Sequence, residues 1–466
     1  MTTNRAARLG FLAAALLVLP ATRARGAGEL DLGFGTNGLA VTVAATVART
    51  LLVQPDGRLI AVGSAEGSGN PMLAVTRWTA NGVLDASFGS EGIVITTFSG
   101  VNDVARAVAL QPDGRVVVAG GSANAFALAR FRASGAVDGS FGFGGQVTTN
   151  VGRTAQANAL VVQPDGKLVA AGVTDNGTGG QFVLVRYMPN GALDETFGSG
   201  GAVTTAIGSD DAARALVLEP NGRLVAAGVT RRGGASNFAL VRYNRDGTLD
   251  GTFGAGGVTT TDFGGDDVAT GLLLTPAGDV VAVGSTTAGT GGSFALAQYT
   301  AAGILDAAFG TGGTMTTNFS AGHDQVNAGA AQANGNIVVA GQSGTELALA
   351  RYIGNPAPAP PSLTAVEAEL DALITAIDRE VPAGAVEAAL AGLASGGKGL
   401  ALLAEQDLGL GRHHRAISRL RRAVRLLTRL ERRLRSPAVR SMAGAALANA
   451  LAVQTGHAVG VLRSLL

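Results

Sequence analysis

The chain has 466 residues, of which 47% are hydrophobic and 15% charged, with 70 glycines and no cysteine. Low charge and abundant glycine suit a turn-rich β protein of two or three domains and argue against disorder. The lack of cysteine excludes disulfides, thiolate metal sites and thiol catalysis.

The net charge of +1 hides a gradient along the chain. Residues 28–352 carry 25 acidic and 17 basic side chains, and residues 363–466 carry 9 acidic and 14 basic ones. An acidic body therefore precedes a basic tail.

Residues 1–27 read as a secretory signal peptide. Arg5 and Arg8 form its basic start, Leu9 to Leu19 its apolar run, and Pro20 ends that run before the small residues Ala24, Gly26 and Ala27. The run is too short to span a bilayer, and no later segment is apolar for the ~18 residues a span needs. A secreted or periplasmic protein with no transmembrane segment in its mature chain is expected.

From residue 28 to 353 one unit repeats. Its opening motif, L-D-x-x-F-G-x-x-G, starts at Leu30, Leu84, Val137 (with Val for Leu), Leu193, Leu249 and Leu305, at intervals of 53–56 residues. The unit at 211–261 shows the grammar. An apolar run (Ala213–Leu218) meets a Pro-Asn-Gly turn and a second run (Arg223–Gly228). After a variable loop, a third run (Asn237–Tyr243) leads to a tight turn, the motif and a β-branched fourth run (Val258–Thr261). Four antiparallel strands per period make a propeller blade. The first unit supplies only a fourth strand (Leu30–Val43) and the last only three strands. The expectation is an all-β six-bladed β-propeller, its N-terminal strand closing the last blade. Within the motif, Leu is expected to face the core between blades, Asp to cap its own turn, and Phe to fill space between sheets.

These residues resemble the delta-60 repeats of secreted bacterial proteins: the motif, then A-x-A-L-x-x-Q-P-D-G-K/R-L-x-V-A-G, then F-A-L-x-R-Y. The departures are Val137, Gln298 for Arg and Ala333 for Pro. The resemblance covers residues 29–353 and implies a secreted propeller-like module without a general enzymatic activity.

Residues 354–362 read as a Pro-rich linker. Beyond it, residues 363–466 form a small α-helical domain, with helices expected at 363–379, 384–394, 399–408, 412–434 and 438–465. Ile417, Leu420, Val424, Leu427 and Leu434 share one face of the fourth. The stretch 398–435 resembles the FIMAH-type helical modules that end some secreted bacterial proteins, although the aromatic usual on their central helix is absent.

No nucleophile elbow, P-loop, zinc-protease or EF-hand motif occurs. Two groups of residues draw attention instead. The loops between blades carry Asp103, Asp210, Asp211, Asp266, Asp267 and, with His323, Asp324. Such a ring near the channel mouth suits Ca2+ or a cationic ligand, or else each Asp caps its own loop. Residues 412–440 hold eleven Arg against one acid, Glu431. Arg415, Arg419, Arg422 and Arg433 there suit an anionic surface or acidic partner, or else form a solvated face. Export and the lack of interleaved aromatics argue against nucleic acid. A non-enzymatic binding or scaffold protein is expected, using the variable-loop face toward a protein or cell-envelope polysaccharide, with the basic tail as a second contact. No cofactor is expected beyond Ca2+. The rival readings are a propeller enzyme of lyase, lactonase or sugar dehydrogenase type, and a purely structural surface protein.

Overall fold

The computed structural model describes residues 33–354, apart from 37–38, 43–45, 67–69, 99–102, 276–277, 290, 320–322 and 333. Beyond these it describes 370–377, 385–409, 413–437 and single positions as far as 459. Residues 1–32, which include the expected signal segment and the start of the first motif copy, and the expected linker from residue 355 lie outside the described residues.

The strands group into six antiparallel sheets. The first holds β1 (Thr46–Val53), β2 (Leu59–Glu66), β3 (Pro71–Trp78) and β4 (Ile93–Thr96). The second holds β5 (Val104–Leu110), β6 (Val116–Ser122), β7 (Ala125–Phe131) and β8 (Gln146–Thr149). The third holds β9 (Thr154–Val162), β10 (Leu168–Asp175), β11 (Gly180–Tyr187) and β12 (Ala202–Thr205). The fourth holds β13 (Asp211–Leu218), β14 (Leu224–Arg232), β15 (Ala235–Tyr243) and β16 (Val258–Thr261), and the fifth β17 (Asp267–Leu274), β18 (Val280–Thr286), β19 (Ser293–Tyr299) and β20 (Thr314–Thr317). The sixth has three strands among the described residues, β21 (Asp324–Ala331), β22 (Ile337–Ser343) and β23 (Glu346–Tyr352). The fold class is the expected six-bladed β-propeller followed by helices. The strand expected to close the last blade falls in part on residues outside the described set.

Each first strand carries a one-residue bulge at the same register. Arg49, Arg106, Asn158, Arg214, Thr270 and Asn327 are the extra residues. A bulge pushes its strand toward the neighbour, and a glycine of the second strand receives it each time. A Cβ on Gly63, Gly120, Gly172, Gly228, Gly284 or Gly341 would overlap the backbone carbonyl two residues before the bulged one. The glycine of the V-A-G signature is thus fixed by backbone approach.

The chain condenses into two compact units that divide within the fourth sheet. One runs to Gly234 and adds Ala239–Asp250; the other takes Ala235–Phe238 and the chain from Gly251. In the first, the third-strand tyrosine of one blade reaches the threonine ending the previous blade's fourth strand. Tyr187 bonds Thr149 at 2.9 Å and Tyr243 bonds Thr205 at 2.9 Å. The second unit repeats the tie with Tyr299–Thr261 at 2.7 Å and Tyr352–Thr317 at 2.9 Å. Buried Phe182, Phe238 and Phe294 add apolar area on three of these third strands.

The helical segment has α1 (370–377), α2 (Ala385–Gly409) and α3 (His413–Leu434). The described positions from 437 to 459 are helical too. The two helices expected at 384–394 and 399–408 are one. Ser395, Gly396 and Gly397 do not break it, because Gly397 lies against the Leu427 side chain and leaves no room for a Cβ there. Leu370, Leu373, Leu390, Ala404, Leu420, Leu427, Leu430 and Leu434 form a shared core. Among the described residues no helix is long and apolar enough to cross a membrane.

Candidate functional site

The motif Asp is the first functional candidate that chemistry suggests, and its geometry is that of a fastening. Asp194 accepts from the backbone N–H and hydroxyl of Thr196 at 3.2 and 2.6 Å, as expected of a turn-capping Asp. Its other oxygen binds the Arg186 Nε at 2.8 Å and the Lys167 Nζ at 2.9 Å. Asp85 and Asp138 make the same set, with Arg77 at 2.8 Å and Arg58 at 2.9 Å, and with Arg130 and Arg115 both at 2.8 Å. Asp250 pairs with Arg242 at 2.8 Å and Arg223 at 3.2 Å. Each buried Arg also stacks on its motif Phe, at 4.5–4.7 Å from the ring centre for Phe88, Phe141 and Phe197. It donates as well to a turn carbonyl of the next blade: Arg77 to Ala133, Arg130 to Pro189 and Arg186 to Arg245. Burial opposes ionisation of Asp138, but Ser140, Arg130 and Arg115 outweigh it and bring its pKa down to about 2. Burial likewise opposes ionisation of Asp194, and Thr196, Lys167 and Arg186 hold its pKa well below the usual carboxylate range.

The motif Gly adds a second bridge at this end. Its N–H donates to the three-to-four turn of the next blade: Gly89 to Ser134 at 2.8 Å, Gly142 to Asn190 at 2.8 Å, Gly198 to Asp246 at 2.7 Å and Gly254 to Ala302 at 2.7 Å. Gly35, from the first copy, donates to Asn81 in the same way at 2.6 Å. The expected core role of the motif Leu is corrected. Leu193 and Leu249 are each 40% exposed and Val137 38%, while the Asp beside each is buried. The ion pair turns the Asp inward, and the alternation of the chain sends its neighbour outward.

The acidic loop residues sort into two kinds. Asp103, Asp211, Asp267 and Asp324 are buried at the start of their strands. Each accepts from its own loop: Phe98 N–H at 2.7 Å, Ile207 N–H at 2.6 Å, Phe263 N–H at 2.7 Å and Phe319 N–H at 2.8 Å. Ser122 and Thr230 hydroxyls add bonds of 2.5 Å to Asp103 and Asp211. Burial first, and then the charges of Asp262 and Asp266, raise the pKa of Asp267. Asp210 and Asp266 are exposed and tie down the neighbouring blade's strand-three start, accepting from Gly180 at 3.3 Å and Ser236 at 2.9 Å. His323 is exposed, and its carbonyl accepts from Gly344. These contacts are loop caps and ties. Among the described residues no three His, Asp or Glu side chains stand close enough together to hold a metal ion.

The same end of the blades carries a cleft of about 350 Å3 between the second and third sheets, lined by Asn124, Thr154 and Gln156 among others. Ala123 and Asn124, the turn between β6 and β7, both sit at positive φ, 46° and 68°. Ala155 donates its N–H to the Asn124 carbonyl at 2.7 Å, so the turn is clamped to the next blade. Amide and hydroxyl groups therefore face the cleft on a fixed backbone.

The bulge residues lie inside runs that look like plain apolar strands in the sequence. Arg49, Arg106 and Arg214 occupy three of the four bulges in the first unit. In the helical segment, Arg415, Arg422 and Arg433 are exposed, and half-buried Arg419 donates to the Leu403 carbonyl at 2.7 Å. Arg419 thus joins α3 to α2 and is not part of an open stripe.

Four segments, residues 54–88, 111–141, 163–197 and 219–253, match the profile of a family described as a domain of unknown function (DUF5122) beta-propeller. No curated protein matches. Solved structures with a similar fold include a protein from Lactobacillus plantarum (16% identity, 68% of this chain and 88% of that one, TM-score 0.40). The polysaccharide lyase Uly1 is similar over 73% of this chain and 86% of its own (12% identity, TM-score 0.36). Sqt1 from Chaetomium thermophilum is similar over 68% and 85% (13% identity, TM-score 0.37).

Proposed function

We propose that this is a secreted or periplasmic binding protein of delta-60-repeat type, which uses the variable-loop end of its blades to hold a cell-envelope polysaccharide. The observation that carries the reading is the contrast between the two ends of the blade. At the motif end the recurring polar side chains close on one another, in the same Arg–Asp–turn arrangement blade after blade. At the other end the loops differ between copies, and the cleft between the second and third sheets offers Asn124, Thr154 and Gln156. Side-chain amides and hydroxyls suit sugar hydroxyls, which both donate and accept. The exposed arginines of α3, Arg415, Arg422 and Arg433, supply a second, electrostatic contact.

The test is co-sedimentation of the mature chain with purified envelope polysaccharide, for the wild type and for Asn124→Gly combined with Gln156→Ala. Retention by the wild type and at least tenfold weaker retention by the variant are expected. Equal retention by both, or none by either, contradicts the reading. Turnover of the polysaccharide would replace it with an enzyme.

A further inference from the structure

The six bulges are equivalent places in the fold with unlike residues. Two of the uncharged ones show where a bulge side chain goes. Asn158 donates to the Ala213 carbonyl at 2.8 Å, next to the bulge of the following blade, and Thr270 donates to the Val326 carbonyl at 3.1 Å, again next to the following bulge. Bulge side chains therefore point along the row of first strands, from one blade to the next. In the first unit those strands pack in succession, β1 on β5, β5 on β9 and β9 on β13.

Three of the four bulges in that row are arginines. Arg106 is half-buried, and its Nε is shielded from solvent with no hydrogen-bond partner. A buried guanidinium N–H left unbonded carries an uncompensated desolvation penalty. Burial, followed by the charges of Arg49 and Arg214, disfavours the cationic form of Arg106. A guanidinium stays charged in proteins all the same. Arg106 therefore stays a cation near two others at a Coulombic and desolvation cost that the fold itself does not require. Asn158, Thr270 and Asn327 fill the same bulge without charge.

We propose that Arg49, Arg106 and Arg214 form an oxyanion site on the row of first-strand bulges, which takes a carboxylate- or phosphate-bearing small molecule. The planar guanidinium offers paired N–H donors that match two oxygens of one such group. A bound oxyanion supplies the partner that the Arg106 Nε lacks and relieves the repulsion among the three. The site lies on strands and not on the variable loops, so it stands or falls separately from the polysaccharide reading.

The test is titration calorimetry and thermal melting of the full mature chain with citrate, inorganic phosphate and, as a neutral control, glucose, at low and high NaCl. Citrate or phosphate is expected to bind and raise the Tm, more weakly at high salt, and glucose to do neither. A preference between the two anions distinguishes the carboxylate source from the phosphate source. Arg106→Gln is expected to weaken anion binding at least tenfold while raising the Tm of the anion-free protein. Arg214→Gln, at an exposed position, serves the same purpose if Arg106→Gln does not fold. Absence of binding by either anion, or binding unchanged in both variants, overturns the proposal.

Discussion

Arg186 and Asp194, eight residues apart and each under 10% exposed, meet at 2.8 Å on the end of the third blade, and Arg186 also donates to the Arg245 carbonyl of the fourth. One side chain thus fixes the motif turn of its own blade and the spacing to the next. Breaking a buried pair from one side leaves an uncompensated charge, a loss of about 3–5 kcal/mol. Arg186→Gln is expected to lower the unfolding free energy by that much, measured by equilibrium unfolding in urea. A loss below about 1 kcal/mol would make the pair a surface-like contact.

The fifth blade offers the reverse experiment. Gln298 stands where the other blades have Arg, and Asp279 replaces the turn cation. The Gln298 amide donates to Asp306 at 2.9 Å and to Asp279 at 3.3 Å. Gln298→Arg restores the cation between two carboxylates in a frame that already seats it in four other blades. A gain of about 1–2 kcal/mol in unfolding free energy is expected; a loss would show that this blade has repacked around the amide.

Acid should find the motif carboxylates last. The folded pKa of Asp138 is lowered, so its contribution to stability is full above the unfolded value near 3.9 and disappears as pH falls to about 2. Asp85, held down by Ser87 and Arg77 against burial, and Asp194 follow the same sign. The difference in Tm between wild type and Asp138→Asn should be constant from pH 7 to about pH 5 and shrink between pH 4 and 2. A difference that grows in that window contradicts the assignment.

Two glycine pairs separate backbone approach from habit. Gly120→Ala places a Cβ on the Val104 carbonyl and should cost several kcal/mol, whereas Gly139→Ala meets nothing within 4 Å and should be near neutral. In α2, Gly392→Ala has open space and should stabilise by about 0.5–1 kcal/mol, whereas Gly397→Ala meets Leu427 and should not. Melting temperatures of the four variants decide both comparisons.

The repeat, its four strands and the turn chemistry were legible in the sequence because period, Pro-Asp-Gly turns and β-branched runs are local signals. Asp194 capping its own turn was legible for the same reason. Its pairing with Arg186 is not a local signal, although the Asp follows the third-strand Arg by eight residues in four units, because strand-end cations look like solvated ends until the turn folds them back. Without that pairing nothing in the local pattern turns Leu193 toward solvent. The glycines of α2 suggested a break, since propensity alone cannot see Leu427 opposite. Arg49, Arg106 and Arg214 were hidden inside apolar runs. Aligning the first strands would have shown a polar column at Arg49, Arg106, Asn158, Arg214, Thr270 and Asn327, and the glycine across from it marks the bulge.

The central claim divides the blade into a motif end that holds the frame and a loop end that binds. Affinity and Tm, measured together on two variants of the chain, test it most directly. Asp194→Asn should lower the Tm and leave the affinity for envelope polysaccharide unchanged below that Tm. Asn124→Gly with Gln156→Ala should leave the Tm within a few degrees and weaken the affinity at least tenfold. The opposite pattern, with affinity lost through Asp194 and kept without Asn124 and Gln156, would contradict the account.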